Sequence, residues 1–107
     1  METEKLKPQD REEFRRFISK PYRSTDMWGK TSIKPRLRTE GRKYQPGVVG
    51  WAHPPWFRQF QLETDTNGVK AVITGTYHTL NNGYKNRQVR CRLLTGPNAG
   101  QYRSFEL

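Results

Sequence analysis

The chain has 107 residues, enough for one compact domain with little to spare, and its single cysteine, Cys91, excludes both a disulfide framework and a cysteine metal set. Lysine and arginine number 20 against 10 acids, a formal charge of +10, so a polyanion, nucleic acid above all, is the partner the composition favours. Only 32% of residues are hydrophobic, no apolar run approaches the ~20 residues that span a bilayer, and METEKLKPQDREEFRRF lacks the apolar stretch of a signal peptide; the expectation is a soluble, cytoplasmic protein without a membrane partner.

Residues 1–21 read as a short amphipathic helix. Pro8 suits a first turn, Asp10, Glu12 and Glu13 favour the positive end of the helix, Arg15, Arg16 and Lys20 favour its negative end, and Pro21 stops it. Phe14, Phe17 and Ile18 fall at i, i+3 and i+4 and form a narrow apolar stripe. Such a helix is marginal alone in water. The stripe therefore docks either on the protein's own core or on a partner, which makes these three residues candidates for protein interaction.

Residues 22–46 show no sustained period and are punctuated by Gly29, Pro35 and Gly41, so they read as an extended basic arm. Lys30, Lys34, Arg36, Arg38, Arg42 and Lys43 stand there against Glu40, with Trp28, Ile33 and Tyr44 interspersed. Cations with spaced aromatics can follow a phosphate backbone and stack on exposed bases. Equally, Trp28 and Tyr44 can pin a solvated arm to the core.

Residues 47–107 change to period-2 alternation broken by turn pairs, the texture of a β domain. Gly47 to Ala52 forms a first strand, ended by His53-Pro54-Pro55, and Trp56 to Glu63 forms a second. Asn67-Gly68 and Asn82-Gly83 are hairpin signals on either side of Val69 to Leu80. Along that strand Val69, Ala71, Ile73 and Tyr77 share one face, and Lys70, Thr74, Thr76 and His78 the other. Tyr84 to Leu94 follows, with Val89, Cys91 and Leu93 directed to the core and Gln88, Arg90 and Arg92 directed away. Arg90 and Arg92 would then present a guanidinium every ~7 Å, a phosphate-like spacing that Lys85, Arg87 and Arg103 extend. Short antiparallel strands joined by tight turns most economically form a small SH3-like antiparallel barrel, which removes exposed edges. Its predicted interior is Val69, Ala71, Ile73, Val89, Cys91, Leu93 and Phe105.

The last turn, Thr95 to Gly100 (TGPNAG), places glycines that accept positive φ on both sides of Pro97 and Asn98. With Val89, Cys91 and Leu93 before it, this stretch resembles the KOW motif, an apolar-alternating strand leading into Gly-x-x-x-Gly. Gln101, Tyr102 and Arg103 stand where that motif usually has a later glycine, and the likeness covers about 20 residues. It implies an SH3-like barrel of the kind found in large-subunit ribosomal proteins and NusG-type transcription factors, with Gly96, Gly100 and the flanking basic residues touching RNA or the transcription machinery.

Signals for catalysis are missing from the pattern. His53 and His78 have no metal-ligand spacing, Glu63, Asp65 and Glu106 do not converge in sequence, and Cys91 lies on the apolar face. The expectation is a non-enzyme with no cofactor and no metal. Two functions fit. One is nucleic-acid binding, RNA rather than DNA, within a ribonucleoprotein or a transcription or translation machine, through the arm and the barrel patch. The other is a small basic adaptor or inhibitor, viral for example, that grips an acidic surface of a larger complex such as RNA polymerase; exposure of Trp51, Trp56 and Phe57 around the prolines would favour it.

Overall fold

The computed structural model describes residues 2–53, 59–62, 68–81 and 83–107. Its elements in chain order are α1 (Pro8–Ser19), β1 (Tyr22–Thr25), β2 (Thr31–Lys34), β3 (Leu37–Thr39), β4 (Val49–Ala52), β5 (Phe60–Gln61), β6 (Val69–Asn81), β7 (Tyr84–Leu93) and β8 (Tyr102–Glu106). The molecule is mainly β, and no helix among the described residues is long and apolar enough to cross a membrane.

The long alternating segments supply the spine. β6 and β7 pair antiparallel from Ala71↔Leu93 to Asn81↔Tyr84, β8 lines the outer edge of β7, and β3 and β4 share the other edge of β6. The main sheet runs β5-β4-β6-β7-β8 with β3 beside β6, and its ladders do not close into a barrel. An isolated parallel bridge, Gln59↔Glu106, joins the two outermost strands' ends. Of the two predicted hairpin turns, Asn67 and Asn82 lie outside the described residues.

A bulge between Ile73 and Gly75 decides which residues face where. One extra residue turns everything beyond it to the opposite side. Strict alternation placed Tyr77 beside Ile73; instead Tyr77 pairs with Gln88 and shares the face of Arg90 and Arg92. The first face carries the core: Val48, Ala52, Phe60, Ala71, Ile73, Val89, Cys91 and Leu93, with Tyr44, Leu62, Val69 and Phe105 half-buried against it. Five of the predicted interior residues are thus buried and two, Val69 and Phe105, line its margin.

Helix α1 covers the second face. Phe14, 5% exposed, lies directly over the bulge, where a Cβ on Gly75 would come within 3.0 Å of three of its ring carbons. Phe17 meets Tyr77 edge-on at 5.3 Å between centroids. The apolar stripe of the helix is therefore spent on the protein's own sheet, and Phe14 and Phe17 are withdrawn as partner contacts; Ile18 is half-buried.

The arm reading of residues 22–46 also changes. β1 and β2 form a hairpin in register Tyr22↔Lys34 to Thr25↔Thr31, and β3 pairs with the middle of β6. Strands of three and four residues are too short to show a period in sequence, and tertiary contacts fix them: the Tyr22 hydroxyl donates to Leu80 O at 2.7 Å, and the Arg36 guanidinium stacks 4.3 Å from the Phe17 ring centroid.

Candidate nucleic-acid interface

The β1–β2 hairpin ends in a turn built on one carboxylate. Asp26 Oδ1 accepts from the amides of Trp28 at 2.9 Å and Lys30 at 2.8 Å, while the Asp26 amide donates to Lys30 O and the Gly29 amide to Asp26 O, each at 3.0 Å. Asp favours such turns because its side chain captures amides two or more residues ahead. The turn holds Met27 and Trp28 outward, 79% and 83% exposed.

Alternation along the two strands divides the hairpin. Tyr22, Ser24 and Lys34 are half-buried toward the body, whereas Arg23, Thr25, Thr31 and Ile33 face solvent, with Ile33 71% exposed and opposite Arg23. Arg23, Lys30 and Lys34 have no carboxylate partner among the described residues. An indole, an isoleucine and three unneutralised cations thus share one projecting element. Of the two arm aromatics, Tyr44 is pinned, packing on the core and edge-on to Phe60 at 6.4 Å, and Trp28 is not. Arg42 and Lys43 are exposed beyond β3, Lys43 lying 5.8 Å from the Tyr44 ring centroid. Arg36 and Arg38 are anchored by stacking, Arg38 at 5.2 Å from the Phe14 centroid.

The predicted arginine ladder on β7 is corrected outright. Arg92 is 7% exposed; its Nε donates to Asp10 Oδ1 at 2.9 Å and its Nη2 to Oδ2 at 3.3 Å. Asp10, wholly buried, also accepts from the Tyr102 hydroxyl at 2.5 Å and the Lys7 amide at 2.9 Å. Arg90 binds Glu13 at 2.6 Å, donates to Ser104 Oγ at 3.1 Å, and stacks 4.1 Å from the Phe17 centroid. Alternation placed both arginines opposite the core correctly, but that face is roofed by α1. The missed signal was the helix itself: Asp10, Glu13, Phe14 and Phe17 follow i, i+3, i+4, i+7 and form one face, so the two acids belong with the apolar stripe.

This seam has defined electrostatics. Burial pushes the Asp10 carboxyl up, but the hydrogen bonds from Tyr102, Lys7 and Arg92, together with the Arg92 charge, outweigh it and hold the group below its ordinary 3.8. Tyr102, desolvated and bonded to that carboxylate, is pushed up to about 12.

The remaining predicted cations stand apart. Lys85 and Arg87 are exposed near the β6–β7 tip, beside Tyr84 at 78% exposure, and register places Arg87 opposite His78. Burial, then the charges of Lys85 and Arg87, lower His78 below its ordinary 6.5. Arg103 is exposed on β8 and bonded to Gln101 Oε1 and Tyr102 O. Gly96 and Gly100 do adopt positive φ, 85° and 91°, but the Gly100 amide donates to Leu93 O at 2.7 Å and so closes the turn rather than facing a phosphate.

Trp51 is half-buried within β4, and Trp56 and Phe57 lie outside the described residues. Cys91 is fully buried, and burial pushes its thiol up to about 12. Among the described residues no three of His, Cys, Asp and Glu gather to hold a metal ion. No protein-family model, no curated protein and no solved structure matches this chain.

Proposed function

We propose that this is a non-enzymatic nucleic-acid-binding protein, with single-stranded RNA as the preferred polyanion, serving a ribonucleoprotein or a transcription or translation machine. The observation that carries the reading is Trp28, 83% exposed on a turn fixed by Asp26, with Lys30 in the same turn and Arg23 and Lys34 on the two strands of the same hairpin. An indole in water at that exposure contributes nothing to folding, whereas stacked on a base it is worth ~1–3 kcal/mol. The neighbouring cations neutralise phosphates and release counterions, which gives affinity without a base code. A single strand offers open base faces that a duplex does not.

The preference for RNA rests on the resemblance of Thr95–Gly100 to the KOW turn, supported by the positive φ of Gly96 and Gly100 between β7 and β8. With it goes the finer architecture, a curled SH3-like barrel, for which the Gln59↔Glu106 bridge between the sheet's far edges is the supporting contact. Lys85, Arg87 and Arg103 then add cations to the same polyanion from the sheet, and Arg42 and Lys43 from the segment after β3.

A second reading has its own observation. Met27, Trp28 and Ile33 are all more than 70% exposed on one hairpin, and Trp and Met are residues that anchor protein interfaces. In that case the hairpin grips an acidic surface of a larger complex. Affinity purification from the native cell with and without nuclease separates the two: the nucleic-acid reading expects partners to disappear with nuclease, and the adaptor reading expects one large partner to persist.

A further inference from the structure

The run before α1 is laid along the body. Val49 N–H donates to Glu2 O at 2.9 Å, Glu4 N–H to Gly47 O at 2.8 Å, and Thr3 bridges Val48. Lys5 and Leu6 are thereby carried along the margin of a cleft of about 690 Å³, whose other lining includes Arg11 and Phe14 of α1, Arg38 and Thr39 of β3, and Gly75 at the bulge. A second hollow of about 790 Å³ shares Lys5, Leu6, Arg11 and Arg38 with it and adds Arg15.

Four cations therefore border connected space, and none has a carboxylate partner among the described residues. Glu12, the acid of the second hollow, is bound by Arg16 at 2.6 Å, leaving Glu4 and Glu40 on the lining of the first. Like charges held together repel, and an anion seated among them removes that repulsion. Arg38 is oriented without being consumed, since stacking on Phe14 at 5.2 Å fixes its plane and leaves its donors unspent. The volume falls within the ~300–1,000 Å³ of small-ligand sites.

We propose that this cleft binds a nucleotide, its phosphomonoester seated among Lys5, Arg11, Arg15 and Arg38 and its nucleoside lying against Leu6 and the Arg38 plane. The ligand is either a free mononucleotide or the phosphorylated end of a strand. The site is independent of the hairpin, since Arg23, Trp28, Lys30 and Lys34 do not line it.

Calorimetric titration with adenosine monophosphate, and with adenosine, tests it on the full chain and on an Arg11→Ala, Arg15→Ala double variant. Both arginines are exposed on α1, so the fold, checked by circular dichroism, is preserved. The monophosphate should bind at least tenfold more tightly than adenosine, and the double variant should lose at least tenfold. Preference for a 5′-phosphorylated oligonucleotide over its 5′-hydroxyl form assigns the strand end; monophosphate binding without that preference assigns the free nucleotide. Monophosphate binding no tighter than adenosine, or unchanged in the folded double variant, overturns the site.

Discussion

Arg92 Nε lies 2.9 Å from Asp10 Oδ1, with both side chains withdrawn from solvent and 82 positions apart in the sequence. This contact ties the first helix to the middle of the sheet. Removing one partner strands the other as a buried charge, a loss of ~3–5 kcal/mol. Arg92→Ala should therefore unfold at markedly lower urea, and Asp10→Leu, Arg92→Leu together should cost less than either single change. A single-variant loss within ~0.5 kcal/mol, the usual surface range, would show that the pair carries no stability.

The same carboxylate sets the response to acid. Because the folded Asp10 titrates below its ordinary 3.8, its contribution is complete above that value and is lost as pH falls through the lower folded value. The stability gap between the native protein and Asp10→Asn should be widest near neutrality and narrow as pH falls below 3.8. Tyr102 works in the opposite direction: raised from 10.0 to about 12, it favours the fold below its unfolded value, and that contribution fades as pH climbs through about 12. Urea melts across the acid range check the first statement, and a gap that does not vary with pH contradicts it.

Gly75→Ala should be costly although alanine is small. Its Cβ would enter the space of the Phe14 ring, so the helix must lift from the bulge, at ~1–3 kcal/mol for overpacking. Trimming the ring should restore part of the loss, making Gly75→Ala and Phe14→Leu non-additive in denaturant melts. Strict additivity would mean that the two do not touch.

The parts of the fold legible in sequence were those governed by alternation over long runs. β6 and β7 fall where period-2 patterning put them, and Ala71, Ile73, Val89, Cys91 and Leu93 are buried as that pattern requires. Alternation fails at Thr74, where one extra residue moves Tyr77 to the helix side, because a bulge leaves no periodic trace. It says nothing of what covers the second face: Arg90 and Arg92 point away from the core, yet the acids that neutralise them lie some 80 residues earlier. The candidate site was legible as composition only. Trp28 and its neighbouring cations stood out in the sequence, but their projection on a fixed hairpin depends on Asp26 capping the turn and on Tyr22 bonding Leu80 O.

The central claim, that the β1–β2 hairpin carries nucleic-acid binding, is tested most directly by titrating labelled single-stranded RNA at several salt concentrations against three proteins: native, Trp28→Ala, and Lys30→Ala with Lys34→Ala. All three positions lie on the hairpin rather than in the core, so the fold should survive. Trp28→Ala should weaken binding by ~1–3 kcal/mol with the salt slope unchanged, and the double lysine variant should reduce the log K against log salt slope by ~1.4, at ~0.7 for each phosphate left without its lysine. Unchanged affinity and unchanged slope in both folded variants would contradict the account.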